Sequence, residues 1–186
     1  MQSMPETFEP IDITGRTIDE VARVIEERRL PPVEQWHPTH CGCSDMRILR
    51  DGSWTHQGAP IGREALVRQF SRILRREPDG SFVLVTPVEK LTIEVELAPF
   101  VATSLLTEGT GRERRIGFAI NSGDAVVLGP RHELRLESGI PLVHVRSGLD
   151  ATLARPVYYE LAELALAEGS DKPGVWSGGL FFPLQS

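Results

Sequence analysis

Two histidines and two cysteines lie within one short segment, HPTHCGC, which runs from His37 to Cys43. Imidazole nitrogen and thiolate sulfur are ligands that Zn²⁺ prefers, and Asp45 or His56 would complete a tetrahedral set. The segment matches no common zinc-ligand spacing, however, and a free cysteine also packs well as a small apolar side chain. We therefore predict that Cys41 and Cys43 hold no metal and form no disulfide.

Three arginines, Arg68, Arg72 and Arg76, repeat at intervals of four residues. On one helix they would form a row, in which like charges repel one another unless anions intervene. Such a row is able to bind a phosphate, a nucleic acid or an acidic partner. Glutamates from elsewhere in this acidic protein would neutralise it equally well, so a solvated or internally paired face is the simpler interpretation.

Five further residues are poorly explained by local structure alone: Arg50, Trp54, Arg63, Arg146 and Trp176. Trp54 has polar and charged neighbours, and Arg50 and Arg146 stand beside two similar tight turns. The planar fork of arginine and the large face of tryptophan dominate many recognition sites. We predict that these five side chains line one concave surface between two halves of the protein. The alternative is that each tryptophan fills a local core and each arginine forms an internal ion pair.

Motifs for catalysis and for cofactors are incomplete. Ser177 lies among glycines, but the G-x-S-x-G elbow of a catalytic serine is absent. Gly109-Thr110-Gly111 lacks the flanking strand and helix of a phosphate-binding loop. Glu94 and Glu96 alternate on one wet strand face, which favours solvated charge over an acid–base pair. We therefore predict no catalytic residue, no metal and no cofactor, and a protein that is not an enzyme.

Capping and periodicity place the elements that must position these residues. Thr17 and Glu20 have capping-box spacing, so a helix begins at Thr17. Pro31 and Pro32 end it, because proline cannot continue a helix. Asp51-Gly52 separates two strand-like runs and predicts a hairpin. The other expected elements are helices over 62–76 and 155–167 and strands over 82–85, 88–97, 101–106, 116–120, 125–128, 142–145 and 174–182.

The two halves of the chain echo one another. Each runs from a strand through a tight turn and a helix to a glycine turn and a further strand. Aligning Arg63 with Arg155 superposes the apolar positions of the two long helices without a gap. This echo predicts an internal duplication in which both helices pack equivalently. The expected fold is α+β, with two similar halves of mostly antiparallel sheet and one packed helix each. An N-terminal arm and helix over 1–30 precede the halves, which cover 31–98 and 99–186.

The composition of the 186 residues is that of a globular protein, with 40% hydrophobic and 25% charged residues. The 20 lysines and arginines against 26 aspartates and glutamates give a net charge of −6, which argues against a general nucleic-acid binder. No apolar run approaches the ~20 residues required to cross a bilayer. The N-terminus lacks the basic and apolar regions of a secretion signal. Two cysteines fit a reducing compartment, so we expect a soluble cytoplasmic protein without a membrane partner.

Several ordered motifs carry a family resemblance. They are Cys41-Gly42, Asp45-Met46-Arg47-Ile48, Arg50-Asp51-Gly52-Ser53-Trp54, Gly58-Ala59-Pro60-Ile61 with Arg63, Leu84-Val85-Thr86-Pro87-Val88-Glu89-Lys90, Val143-His144-Val145-Arg146 and Gly174-Val175-Trp176-Ser177-Gly178-Gly179. Over residues 30–184 the chain resembles the bacterial domain-of-unknown-function 1285 family. The resemblance implies a duplicated α+β architecture, a second half loosely similar to pleckstrin-homology folds, and a role in signalling or regulation. It implies no established activity and no catalytic residues.

These observations predict a non-enzymatic binding or regulatory module of bacterial signal transduction, with a groove for a ligand or partner between the halves. The expected partner is a protein or a small ligand, and nucleic acid is disfavoured. Two alternatives remain open. One is a metal-assisted hydrolase around His37, His40 and Cys41; the other is a nucleic-acid contact through the helix face of Arg68, Arg72 and Arg76.

Overall fold

The computed structural model describes residues 9–185, which form three α-helices, two six-stranded sheets and a C-terminal hairpin. The helices are α1 (Ile18–Glu27), α2 (Glu64–Arg72) and α3 (Arg155–Glu168). The first sheet contains β1 (His40–Ile48), β2 (Trp54–His56), β3 (Ala59–Pro60), β4 (Leu74–Arg76), β5 (Phe82–Val85) and β6 (Glu89–Val95). The second sheet contains β7 (Phe100–Glu108), β8 (Arg115–Ile120), β9 (Ala125–Val127), β10 (Leu134–Glu137), β11 (Ile140–Arg146) and β12 (Leu149–Leu153). The hairpin is made by β13 (Gly174–Ser177) and β14 (Leu180–Pro183). None of the helices in residues 9–185 is long and apolar enough to cross a membrane.

The first helix begins where the capping box predicts. Oγ1 of Thr17 accepts a hydrogen bond from the backbone N–H of Glu20 at 3.1 Å, which satisfies one of the free amides of the first turn. The helix packs against β7, β8 and β9 of the second sheet. Its first amide, that of Ile18, donates to Oε1 of Glu108 at 2.8 Å, which fixes α1 to the end of β7. The N-terminal helix is therefore packed on the second half of the protein.

The first sheet has the strand order β3-β2-β1-β6-β5-β4, in which β1 and β6 are parallel and the other pairs are antiparallel. The hairpin predicted at Asp51-Gly52 joins β1 to β2. Its turn is closed by a hydrogen bond from the amide of Leu49 to the carbonyl of Ser53 at 2.8 Å. The central parallel pair makes this a mixed sheet.

The helix expected over 62–76 is shorter than predicted. It ends at Arg72, and Leu74–Arg76 forms the edge strand β4, with Leu74 opposite Leu84 on β5. Sheet pairing has overridden the helical period here, since tertiary contacts outweigh the small differences in intrinsic propensity. The row of three arginines is consequently broken, because Arg76 lies on a strand.

The second sheet has the order β10-β11-β12-β7-β8-β9, again with one central parallel pair, β12 and β7. Numbered within each half, both sheets run 3-2-1-6-5-4. The helices do not follow this repeat, because α2 lies between the third and fourth strands of its sheet and α3 follows the sixth. The predicted register of Arg63 on Arg155 is therefore wrong. The helical period alone made the two segments align, and amphipathic helices share that period.

One continuous core crosses the boundary between the halves. It includes Ile48 and Trp54 from the first half and Phe100 and Phe118 from the second. On β8 the side chains alternate: Phe118 faces this core, whereas Ala119 faces a separate cluster beneath α1. Because the halves share buried apolar surface, hydrophobic burial holds them together.

Candidate functional site

The turn of the β1–β2 hairpin is wedged against the second half of the protein. Gly52 has a φ of +87°, and a Cβ at this position would lie 2.4 Å from Cγ2 of Val101 on β7. Oδ1 of Asn121 accepts a hydrogen bond from the amide of Val101 at 2.9 Å and fixes that strand. Ser53 donates to the carboxylate of Asp51 from Oγ at 2.6 Å and from its backbone N–H at 2.9 Å. These hydrogen bonds hold the pKa of the Asp51 carboxyl below its ordinary value.

Two cavities flank this turn, and both are lined from the two halves. The larger, here called the turn cavity, has a volume of about 660 Å³, and its lining includes Trp54, Ile61 and Arg68 from the first half and Val101 and Asn121 from the second. The smaller, here called the tyrosine cavity, has a volume of about 420 Å³ and is lined by Arg50 and by residues of β12 and α3. Residues of the hairpin turn line both of these cavities. A third cavity between the halves, of about 220 Å³, is lined by Phe82 and Ala98 on one side and by Glu137 and Asp150 on the other.

The tyrosine cavity brings together two arginines and two tyrosines. Arg50 extends from the first half, and Arg155, Tyr158 and Tyr159 come from the first turns of α3. The tyrosines are 37% and 59% exposed, and their ring centroids lie 6.1 Å apart in an edge-on arrangement. Neither guanidinium forms an ion pair with any residue in 9–185. Unpaired cations beside exposed aromatic rings are a common basis for recognising anions.

Sequence reasoning missed Arg155, Tyr158 and Tyr159 as site residues. The helix α3 buries Val157 and Leu161 against the second half, and two consecutive tyrosines cannot both lie on that buried face. A Tyr-Tyr pair in an amphipathic helix was therefore the available signal. The alignment of Arg63 with Arg155 places Tyr158 at the position of the apolar Leu66, and this hides the signal.

Trp54 is a core residue. It is 2% exposed, and its indole stacks on the ring of Phe70 in α2 with centroids 6.2 Å apart and planes 15° apart. Trp54 also borders the turn cavity. For Trp54, the alternative interpretation given above holds: the tryptophan fills a local core.

The other predicted recognition residues lie elsewhere. Arg63 is exposed at the N-cap of α2. Trp176 is half-buried on β13, where its ring packs 5.3 Å from that of Phe181 and lies under the guanidinium of Arg112 at 4.8 Å. Arg146 is directed into the boundary between the halves. The structure does not bring Arg50, Trp54, Arg63, Arg146 and Trp176 to one surface. Arg50 lies in the hairpin turn, Arg63 lies at the N-cap of α2, and the other three lie on strands β2, β11 and β13.

The arginines at 68, 72 and 76 do not form a continuous exposed face. Arg68 is half-buried in the turn cavity and lies 3.8 Å from the carboxylate of Glu64, one helical turn earlier. Arg76 lies on β4, where its guanidinium covers the ring of Phe82 at 5.7 Å and donates to the carbonyl of Gly148 at 3.3 Å. Arg76 therefore helps to join the halves.

The histidine and cysteine segment is exposed along β1 and just before it. His37, His40, Cys41 and Cys43 all have exposed side chains, and both cysteines are free thiols. Within residues 9–185 no three side chains of His, Cys, Asp or Glu are grouped closely enough to hold a metal ion. Cys41 and Cys43 lie opposite Lys90 and Thr92 of β6.

Comparison with known proteins assigns both halves to described families. Residues 31–98 match the model "Domain of unknown function (DUF1285), N-terminal domain", and residues 99–184 match "Protein of unknown function (DUF1285), C-terminal domain". The crystal structure of a DUF1285 family protein from Silicibacter pomeroyi DSS-3 is similar, with 44% identity, a TM-score of 0.78 and coverage of 89% of this chain and 92% of that one. A DUF1285 family protein from Shewanella baltica OS155 shares the fold at 22% identity and a TM-score of 0.52, over 64% of this chain and 91% of that one. No curated protein matches the sequence.

Proposed function

This chain belongs to the DUF1285 family over both of its domains, and we propose that it is a non-enzymatic binding module of bacterial regulation. Its ligand occupies the tyrosine cavity between the halves and is an anion, such as a phosphate or carboxylate, attached to a flat or apolar group. The observation that carries this proposal is the unpaired state of Arg50 and Arg155 beside Tyr158 and Tyr159.

The charge at this cavity runs against the charge of the whole protein. The chain carries a net charge of −6, yet the cavity is lined by two arginines and by no acidic residue. The carboxylate of Glu96, outside this lining, accepts a hydrogen bond from the backbone amide of Arg50 at 2.7 Å. A local excess of cations in an acidic protein attracts anions to that place and disfavours their binding elsewhere. Leu97, Ile140 and Pro141 supply an apolar wall, which suits the flat or apolar part of the ligand.

Binding fits this cavity better than catalysis. Its lining contains no carboxylate, imidazole or thiol, which are the groups that most often serve as base or nucleophile near neutral pH. The groups present are guanidinium donors and aromatic rings, which suit binding better than proton transfer near neutral pH. The side of the cavity formed by Arg50 belongs to the wedged hairpin, so ligand binding there bears on the contact between the halves.

The test is titration of the protein with phenyl phosphate, inorganic phosphate and benzyl alcohol, followed by calorimetry. Phenyl phosphate is expected to bind more tightly than either fragment, because only it satisfies both the arginines and the apolar wall. Arg50→Ala and Arg155→Ala are each expected to weaken binding about tenfold, the effect of one charged hydrogen bond. Arg63→Ala is the matched control, since it removes an exposed arginine outside the cavity and is expected to leave binding unchanged.

Two results would contradict the proposal. One is equal binding of phenyl phosphate by the Arg50→Ala variant and the unmodified protein. The other is the absence of binding at millimolar concentration by protein whose fold is shown to be intact by circular dichroism.

We also propose that the two sheets derive from one duplicated unit. Their common strand order, 3-2-1-6-5-4 within each half, supports this origin. The helices are inserted at different points of the two units and are not part of the repeat. The similarity of the second half to pleckstrin-homology folds is supported by a helix, α3, that follows its last sheet strand. Superposition of β1–β6 on β7–β12 tests the duplication, with the parallel pairs expected to coincide.

A further inference from the structure

A separate cavity of about 610 Å³ lies within the first half, between α2 and the first sheet. Leu84 and Leu91 of adjacent strands β5 and β6 form its floor, and Leu66 and Phe70 of α2 form its wall. Leu66 is 40% exposed although it lies on the apolar side of the helix. A volume of this size and a mostly apolar lining are typical of small-molecule sites. We call this space the α2 cavity.

Gly42 leaves room for the side chain of Leu91 in the floor of the α2 cavity. It lies directly opposite Leu91 in the parallel β1–β6 pair, and a Cβ at position 42 would lie 3.1 Å from Cδ2 of Leu91. Any larger side chain at this position must displace Leu91 or project over the floor. The glycine of β1 is thus paired with a residue of the cavity floor.

A bulge in β1 shapes the rim of the cavity. Between Cys43 and Arg47 the strand advances by four residues while β6 advances by two, from Thr92 to Glu94. Ser44 fixes the bulge, because its Oγ donates to the carbonyl of Thr92 at 2.7 Å and accepts from the amide of Met46 at 3.1 Å. Bulges of this kind redirect side chains and are frequent beside functional sites.

The same bulge brings a carboxylate to the rim. Asp45, within it, has a φ of +56°, a left-handed conformation that a non-glycine residue adopts infrequently. Its carbonyl accepts a hydrogen bond from the amide of Gln57 at 2.8 Å, which ties the bulge to the β2–β3 turn. Asp45 and His56 both line the cavity as a result.

The fixed charges around the α2 cavity are acidic. Asp45 and Glu89 line it, and no lysine or arginine does. The carboxylate of Glu89 forms no ion pair or side-chain hydrogen bond within residues 9–185, and Glu89 is on the same face of β6 as Leu91. A partly buried carboxylate without a cationic partner beside an apolar surface favours a positively charged group.

We propose that the α2 cavity is a second ligand site, which binds a small organic cation: an apolar body with one positively charged nitrogen. The apolar body packs on Leu84, Leu91 and Leu66, and the nitrogen donates to the carboxylate of Glu89. This site differs from the tyrosine cavity in both place and charge. Its ligand class is opposite to the anion expected there.

The experiment compares three compounds with the same apolar body, 3-phenylpropylamine, 3-phenylpropanoate and 3-phenylpropan-1-ol, by chemical-shift titration of the full chain. The amine is expected to bind best and the carboxylate worst, with shifts concentrated at Gly42, Leu66 and Leu91. Glu89→Gln is expected to reduce amine affinity about tenfold and to leave the alcohol unchanged, because it removes one charge-assisted hydrogen bond. Glu94→Gln is the matched control, since Glu94 lies on the opposite face of β6 and pairs with Arg47.

A second variant tests the apolar part of the site. Gly42→Val is expected to abolish binding of all three compounds, because the new side chain displaces Leu91 from the floor of the cavity. If Gly42→Val fails to fold, Leu66→Ser replaces it as the test. Leu66 is already exposed, so this variant is expected to remain folded and to bind all three compounds more weakly. Carboxylate binding as tight as amine binding would overturn the proposal, as would shifts that lie outside the α2 cavity or amine binding unaffected by Glu89→Gln. A failure of phenyl phosphate to bind at the tyrosine cavity would leave this result unchanged.

Discussion

Arg146 on β11 donates from Nη2 to the backbone carbonyl of Ser71 in α2 at 2.8 Å, across the boundary between the halves. That carbonyl belongs to the last turn of the helix, where no intrahelical partner exists. The guanidinium lies 5.4 Å from the ring centroid of Phe100, and its Nε lies 3.7 Å from Oδ2 of Asp124. Arg146 therefore stabilises the contact between the halves. The resemblance of its sequence neighbourhood to that of Arg50, which predicts a recognition residue, reflects only the two similar turns.

Replacing Arg146 by alanine is expected to lower the free energy of unfolding by about 2 kcal/mol, because the carbonyl of Ser71 loses a charged donor in a half-buried place. Urea denaturation measures the change. Arg50→Ala removes an exposed arginine without an ion pair and is expected to change stability by less than about 0.5 kcal/mol. Equal effects of the two substitutions would refute the role of Arg146.

Gly52 and Gly58 form a matched pair for testing the wedged hairpin. Both have positive φ, +87° and +81°, but a Cβ would lie 2.4 Å from Val101 at Gly52 and meets nothing within 4 Å at Gly58. Gly58→Ala is expected to cost about 1 kcal/mol from backbone strain alone. Gly52→Ala adds a clash with a buried strand and is expected to cost about 2 kcal/mol more. Thermal denaturation of both variants measures the difference, and similar melting temperatures would mean that the hairpin is not wedged against β7.

Ser177 acts as a structural hydroxyl. It is fully buried, its Oγ accepts from the amide of Ile116 at 3.0 Å, and it donates to the carbonyl of Leu128 at 2.9 Å. Ser177→Ala leaves both backbone groups without a partner and is expected to cost about 2 kcal/mol of stability. Ser104→Ala, at an exposed position of β7, serves as the control in the same denaturation experiment. No loss of stability in Ser177→Ala would show that water or a shifted strand satisfies these groups.

Stability is expected to decrease as the pH falls below about 6.5, the ordinary pKa of histidine. Burial lowers the pKa of His132 below this value, and it outweighs the hydrogen bonds to the backbone of His144 and Val145, which raise the pKa. The nearby side chains of His144 and Arg131 lower it further. The unfolded chain therefore takes up a proton before the folded protein does. The stabilising contribution is complete above the unfolded pKa and is lost as the pH falls through the folded pKa.

The measurement is the free energy of unfolding between about pH 5 and 8, where histidine rather than carboxylates titrates. His132→Gln is expected to flatten the decline toward low pH. His37→Gln, at an exposed position, is expected to retain it. A decline that persists unchanged in His132→Gln would exclude this residue as the cause.

The sequence predicted those elements that are determined by hydrogen bonds and backbone angles of neighbouring residues. The cap at Thr17 and the turn at Asp51-Gly52 depend on a few adjacent residues, whose short hydrogen bonds and φ angles form without help from distant parts of the chain. The alternation of Leu91 and Ile93 on β6 likewise follows from a period of two. The local sequence of each of these elements is sufficient to determine its conformation.

Contacts between distant segments decided the rest. Leu74–Arg76 forms a strand because it pairs with β5, so Arg76 does not continue the helix. Trp54 is buried in the core because its ring packs against Phe70. Arg50 is separated from Tyr158 and Tyr159 by more than 100 residues of sequence, although all three line one cavity. The periodicity of a single helix or strand cannot predict a contact between residues so far apart. A side chain's type indicates which contacts it favours, but the face it presents depends on strand pairing and on which core excludes water around it. Those are properties of the whole folded chain.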